Sequence, residues 1–510
     1  MKKQFSIFIF IPAIFIFFSC TKKFLDVNNN NPNAPTSVNY GLLMSNDLYQ
    51  MGNANSIGLS QFLSFWMGYA SRSGNYIPDN ATETYQISPS YAFSESFWQQ
   101  LYHINLDLKQ VEENATTAKD PFFSGAAKIL MSYNYSELVD VYNDIPYSQA
   151  LDINNLKPKY DSAATVYMDL FNQLDSGIAL IKTAEGSNYA GTNAADESFD
   201  IMFSGNLVSW IQFANTVKLK MLLNLSQKPS QQSVVTSELS KITSEGDGFL
   251  MAGNGAMINP GYVNSLGKQS PFYGFYGATP TGSPSGSNAY YRANKYSTNF
   301  YTNTNDPRLT RFYAPTSSAT TNNTDTVSGN FQGDPGALSN SNTSGFGPGM
   351  LGTATSSTPL LPDFESLFFQ AEAAYRGWIP GNAKDFYQQA ITQSFIYEGV
   401  PNAVAAAQSY YSQPIVNVGW SASSANPLQA IIVQEWAALN GVDVLEAWDN
   451  YRRLGLPADL PLSLNPHLTT KKIPVRLLYP QTEMDRNPTN VPAAGTAKDA
   501  QFNSKIFWMP

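Results

Sequence analysis

The sequence predicts a mainly α-helical fold that carries long irregular loops. Three observations point there. Apolar residues recur at three- and four-residue steps along several stretches. Turns containing Pro or Gly follow those stretches. One long span, Gly253 to Gly352, is crowded with Gly, Ser, Thr, Asn, Pro and Tyr and shows little period.

Ahead of the helices stands an export signal. Lys2 and Lys3 form a positive start, Phe5 to Phe18 an apolar stretch, and small Ser19 precedes Cys20. The stretch is shorter than the roughly 20 residues of a spanning helix. Phe17-Phe18-Ser19 does not follow the small-residue pattern of an ordinary secretory cleavage site and reads as a loose lipobox. Cys20 is the single cysteine in 510 residues. Exported proteins that rely on disulfides carry cysteines in even numbers, so one thiol at this place reads as an attachment point for lipid. Diacylation would give the two-chain anchoring that one acyl chain cannot. Val27 to Ser37 is rich in Asn and Pro and reads as an open tether. The expected layout is a leader over 1–19, a lipidated tether over 20–40 and one helical domain over 41–510, with insertions near 68–91 and 253–352.

The helical stretches follow in order. Pro121 to Val141 is one. In YDSAATVYMDLFNQLDSGIALI, Val166, Leu170, Leu174, Ile178 and Ile181 form a stripe, with Asp161 placed to cap the start. In FSGNLVSWIQFANTVKLKMLLNLS, Leu207, Ile211, Ala214, Val217, Met221 and Leu225 make one face. Phe213, Leu219 and Leu223 lie off it, which predicts burial on more than one side. Pro362 to Gly377 opens a hairpin, AEAAYRGWIPGNAKDFYQQAI. Its Ala371, Ala374, Tyr375, Gly377, Ala383, Tyr387 and Ala390 have the small-and-aromatic offsets of tetratricopeptide units. Trp210, Trp436 and Trp448 fall in periodic segments and read as core.

Composition excludes several chemistries. Removing residues 1–19 takes two lysines and no acid from a net charge of −9, leaving −11. An acidic chain without basic runs is a poor nucleic-acid binder. His103 and His467 are the only histidines. His103 sits among Leu101, Ile104 and Leu108 and reads as packed or capping; His467 reads as a loop residue. No nucleophile elbow, phosphate loop or dinucleotide fingerprint appears. DVNNNNPN and DINN read as turns rather than calcium loops, so no metal and no cofactor is expected. Charged residues are 14% of the chain and aromatics 13%, with 29 tyrosines. Such a surface suits an uncharged amphipathic partner such as a sugar or a peptide.

The landmarks then accumulate. CTKKFLDVNNNNPNAP follows the lipid cysteine, and VYNDIPYSQAL leads through KPKYDSAATVY into a helix. Trp210, Phe213, Ala214, Asn215 and Lys218 form a W-x-x-F-A-N-x-x-K pattern. NDPRL (Asn305 to Leu309), FQGDPG (Phe331 to Gly336), FFQAEAAYRGW (Phe368 to Trp378) and IPVRLLYPQTEMDRNPTNV (Ile473 to Val491) come after it. In this order, over nearly all of the mature chain, they resemble the SusD/RagB family of outer-membrane nutrient-binding lipoproteins, and its SusD-like subgroup more closely. Asn206 replaces a usual Asp, and Lys220 stands where Arg is common.

The resemblance implies tetratricopeptide-like hairpins in a right-handed superhelical scaffold with irregular binding loops. It further implies capture of oligosaccharide for a TonB-dependent, SusC-like transporter, without catalysis, by a lipid-anchored protein at the outer membrane that faces the cell exterior. Thr21, Lys22 and Lys23 lack the acidic patch that directs many relatives to that face. A peptide ligand on the same fold, or a surface hydrolase using two carboxylates, are the alternative readings.

A neutral sugar offers C–H-rich faces to aromatic rings and hydroxyl rims to Asn, Asp, Gln and Arg. Trp66, Tyr69, Arg72, Asn75, Tyr76 and Trp98 bracket the first insertion and are the leading ligand contacts. Tyr290, Tyr291 and Tyr296 lie in the second, with Phe272, Tyr273 and Tyr276 in its PFYGFYG run.

Overall fold

The computed structural model describes residues 39–186, 198–317 and 326–510. Cys20, the leader, nearly all of the tether and residues 318–325 of the long insertion lie outside the described residues.

Helices dominate. α1 (Tyr40–Ile57) and the short α2 (Ser60–Trp66) lead to the longest, α3 (Ala92–Ala118). α4 (Pro121–Tyr142), α5 (Ala163–Gly186), α6 (Leu207–Asn224) and α7 (Gln232–Glu245) follow, and α8 (Lys295–Asn303) lies within the second insertion. α9 (Asp363–Tyr375), α10 (Ala383–Tyr397), α11 (Ala403–Tyr411), α12 (Pro427–Ala438), α13 (Val444–Leu454) and α14 (Gln481–Arg486) complete the set, with a few single turns between. Tyr40–Pro510 makes up one compact unit. No helix among the described residues is long and apolar enough to cross a membrane.

α4 is the central helix. It packs on α3 and α5 and is buried over nearly its whole length, from Phe122 to Tyr142. Asp120 caps it by accepting from the Phe123 amide at 3.2 Å, and Pro121 occupies the first turn, where its missing N–H has no cost. α5 touches α4 through glycines. A β-carbon on Gly125 would sit 2.8 Å from the Gly177 carbonyl oxygen, and one on Gly177 would sit 2.7 Å from Ile129 Cγ1. α5 is not capped by Asp161, whose carboxylate instead accepts from the Ser148 amide at 2.7 Å. Ser162 Oγ accepts from the Thr165 amide at 3.3 Å, one residue closer to the helix. α6 is buried on more than one side, as its off-stripe apolar residues predict, with Val208 left exposed in its first turn, and Asn206 caps it through the Ser209 amide at 3.0 Å.

In the α9–α10 hairpin, Ala371, Tyr387 and Ala390 are fully buried, and the Tyr387 hydroxyl donates to the Val418 carbonyl at 2.7 Å. Tyr375 lies on the solvent side of α9 rather than in the seam. Trp210, Trp436 and Trp448 are core, with indoles donating to Asp200, Met67 and Pro474 at 2.8–2.9 Å.

Where α4, α6, α9, α12 and α13 meet, the interior is charged. Lys220 lies within 3.4–3.7 Å of Glu137, Asp443 and Glu446, and Arg453 grips Glu372 at 2.5–2.7 Å. Burial raises Glu137 to about 7 and Asp140 and Glu435 to about 8, and holds Glu365 and Glu446 well above the usual carboxylate range.

Strands are few and come in antiparallel pairs. β2 (Ile145–Pro146) pairs with β3 (Tyr160–Asp161), and β4 (Ala256–Ile258) with β6 (Thr358–Leu361). The pair that matters most joins β1 (Ala70–Arg72) of the first insertion to β5 (Tyr291–Ala293) of the second, with Arg72 opposite Tyr291 and Ala70 opposite Ala293.

Candidate functional site

The β1–β5 ladder brings together loops more than two hundred residues apart. Just beyond Arg72 the chain turns out to Asn75, Tyr76 and Ile77; just before Tyr291 it carries Ser287 and Tyr290. Between them lies a cleft of about 570 Å³, a volume suited to a small ligand. Tyr76, Tyr290, Tyr291, Phe65, Tyr91 and Phe275 give it aromatic walls. Gln61, Asp79, Thr82 and Ser287 add polar groups, and Ile77, 88% exposed, stands in its lining.

The rings brace one another. Tyr76 meets Tyr290 edge-on at 5.3 Å, Tyr290 meets Tyr291 at 5.0 Å, and Phe65 stacks on Tyr291 at 5.4 Å with their planes 3° apart. Tyr291 is tied down, its hydroxyl donating to the Gln61 carbonyl at 3.1 Å. The hydroxyls of Tyr76 and Tyr290 bond no group among the described residues. Burial raises Tyr91 to about 12 and Tyr290 and Tyr291 further, so these phenols stay neutral donors across the physiological range.

Polar support sits beneath. Arg72 is buried, pairs with Glu83 at 2.7 Å and donates to the Ser73 and Tyr76 carbonyls at 3.0 and 2.5 Å. It therefore holds the Tyr76 turn and offers no free charge to a ligand. Asn75 is exposed and accepts from the Asn340 amide at 2.8 Å, a second tie between the insertions. Asp79, among the described residues the only charged one lining the cleft, caps the single turn Asn80–Glu83. It accepts from the Ala81 and Thr82 amides, the Thr82 hydroxyl and the Tyr91 hydroxyl at 3.0–3.3 Å. Among the described residues the cleft is thus aromatic, hydroxyl-rich and without a free cation.

The other sequence-derived ligand residues lie elsewhere. Trp66 is fully buried, because every residue of α2 is interior. Its ring packs on Phe62, Tyr85 and Trp448 at 5.0–5.9 Å, and its indole donates to the Thr82 carbonyl at 3.1 Å. Tyr69 is also sealed, stacked on Trp436 at 5.2 Å and donating to that residue's carbonyl at 2.6 Å. Both support the loop from below and present no surface to a ligand. Tyr296 leans on Trp436 at 5.3 Å and donates to Asp459 at 2.7 Å, outside the cleft lining. Of the PFYGFYG run, Tyr276 is buried with its hydroxyl 3.2 Å from Ser60 Oγ, and it is Phe275 that reaches the cleft.

Trp98 belongs to a separate cleft of about 390 Å³ with Tyr102 and His103. His103 is exposed there and not packed, since it lies off the buried Leu101–Ile104–Leu108 face of α3. A third cavity, about 190 Å³ beside Met350 and Tyr397, is below the usual size of a ligand site. Among the described residues no cluster of three or more His, Cys, Asp and Glu could hold a metal ion.

Sequence reasoning passed over Phe65, Ile77, Asp79, Tyr91 and Phe275. Asp79 carried a signal: an Asp followed by Asn-Ala-Thr is a cap pattern that fixes a short turn beside the loop.

Comparisons with known proteins bear on this arrangement. A family model named SusD-like_2, described as starch-binding associating with outer membrane, matches residues 32–480. A search of curated proteins finds no match. Among solved structures, a SusD/RagB family protein from Bacteroides thetaiotaomicron superposes with a TM-score of 0.72 at 20% identity, covering 92% of this chain and 99% of that one. A SusD homolog from Bacteroides fragilis gives 0.71 at 22%, over 92% and 99%. A chitin-binding SusD homolog from Flavobacterium johnsoniae gives 0.72 at 22%, over 91% and 98%. With the family model matched over most of its length, the chain belongs to the SusD-like family of outer-membrane-associated proteins.

Proposed function

We propose that this protein captures a neutral oligosaccharide in the cleft between its two insertions and passes it to a SusC-like, TonB-dependent transporter, without catalysis. The observation that carries the reading is the pair of unbonded phenols, Tyr76 and Tyr290, set edge-to-face at 5.3 Å over a cleft whose one charged lining residue is already engaged. Apolar sugar faces lie on such rings, and sugar hydroxyls exchange hydrogen bonds with such phenols. The family description names starch, and one structural relative is named as chitin-binding. Gluco-oligosaccharides and chito-oligosaccharides are therefore the first ligands to try. In this reading the lipid on Cys20 holds the domain over 41–510 at the outer membrane, facing the exterior, and the Asn- and Pro-rich segment gives it reach.

Isothermal titration with maltoheptaose, chitohexaose and a panel of peptides tests it. The expected outcome is binding to one of the two sugars, weakened at least tenfold in Tyr76→Ala, about 1.4 kcal/mol. The melting temperature should move little, because Tyr76 is 39% exposed. Binding to peptides alone overturns the ligand class, and release of shortened sugars overturns the absence of catalysis.

A further inference from the structure

A second cleft lies apart from the first. It forms where α3 meets the 146–158 loop and α14. Trp98 and Tyr102 supply rings 4.9 Å apart, continued inward by Tyr160 and Tyr479 at 6.3 and 6.0 Å from Trp98. Pro146, Leu151 and Pro158 make an apolar wall. Opposite stand Glu483 and Arg486 of α14, with Gln99 and His103 on α3.

The polar groups are set as a saccharide would need them. Glu483 is held in place by the Tyr160 hydroxyl at 2.9 Å, with Asn487 and the Trp98 indole as further partners and the Arg486 charge nearby. Arg486 is exposed and has no salt-bridge partner among the described residues. Neighbouring sugar hydroxyls can donate to a carboxylate and accept from a guanidinium while the ring face lies on Tyr102. An acidic ligand would meet Glu483, and a cationic one Arg486; a neutral ligand with paired hydroxyls uses both.

The position of the cleft adds a second argument. Tyr91, at the start of α3, lines the first cleft; Trp98 and Tyr102 line this one. Trp98 and Tyr102, four residues apart, share one face of α3, whose first helical residue follows Tyr91. α14 is also tied to the first insertion, the Gln481 amide donating to the Pro89 carbonyl at 3.0 Å. α3 and the residue that caps it thus contribute to both clefts.

We infer that the cleft between α3, the 146–158 loop and α14 is a second neutral-saccharide subsite, with Tyr102 as its platform and Glu483 and Arg486 as its hydroxyl partners. It shares with the proposed function only the class of ligand.

The two histidines make a direct test possible. In full-length protein labelled at histidine, the imidazole spectrum holds one reporter in this cleft, His103, and one in a loop, His467. Assignment uses His467→Gln, and the probes are maltoheptaose and chitohexaose at constant pH. The expected result is a saturable shift of His103 that survives Tyr76→Ala and weakens at least fivefold in Arg486→Ala and in Glu483→Gln. Arg486 is exposed, so its variant keeps the fold if the buried hydrogen bond of Glu483 proves necessary. Binding heat lost in Tyr76→Ala with His103 silent overturns this inference and leaves the first cleft standing. A His103 shift with no effect of Tyr76→Ala on binding does the reverse. A His103 shift with peptides and with neither sugar overturns the ligand class assigned here.

Discussion

Trp66 and Tyr76 lie ten positions apart and do opposite work. Trp66 fills a fully buried space between Phe62, Tyr85 and Trp448. Tyr76 stands half out of the protein with a free hydroxyl. Trp66→Ala removes a large ring and a buried indole donor. It should cost about 3–5 kcal/mol, the usual range for Trp or Phe to Ala in a core. The check is a urea unfolding curve, in which the midpoint falls while the slope is kept. The folded fraction should still bind sugar within a few-fold of the parent, the contrary of the Tyr76→Ala pattern. A Trp66→Ala protein of unchanged stability and lost binding would place that ring in the ligand site after all.

At the scale of elements, close approach decides stability. α4 and α5 touch where Gly125 faces Gly177, with room for no added methyl. Gly177→Ala, which on helix propensity alone would be favourable, should instead destabilise by roughly 1–3 kcal/mol, the range for overpacking. Thermal unfolding measures it, and a raised midpoint would show that the helices slide apart freely. Several helices were legible because burial follows period: the off-stripe Phe213, Leu219 and Leu223 announced that α6 is buried on more than one side. The cap of α5 falls one residue later than expected, since Asp161 and Ser162 both suit a cap and the Ser148 amide and Lys159 engage Asp161. The candidate cleft was half legible. Tyr76, Tyr290 and Tyr291 stood out as loop aromatics, but a three-residue ladder between Ala70–Arg72 and Tyr291–Ala293 leaves no mark in either segment alone. Trp66 misled for a related reason: a helix of seven residues is too short to show which of its faces is buried.

Across the whole molecule, the buried charges set a pH dependence. Glu137 at about 7 and Asp140 and Glu435 at about 8 are raised by burial, whereas such groups in an unfolded chain titrate near ~4. Between those values the folded state binds more protons than the unfolded one. Stability from these groups is therefore full at low pH and is lost as pH rises toward 8. Glu372 runs the other way: burial alone would raise it, yet Arg453 and Arg376 hold it low, so its contribution fades only in acid. The melting temperature should accordingly be higher near pH 5.5 than near pH 8, as calorimetry would read, and a flat or rising profile would mean that Lys220 and the arginines neutralise the cluster fully. The ladder between the insertions has a different reach. Because each loop supplies one wall and one strand, neither is a portable cassette. Transplanting residues 68–91 into a relative would leave β1 without its mate, so redesign of ligand preference has to exchange the two segments as a matched set.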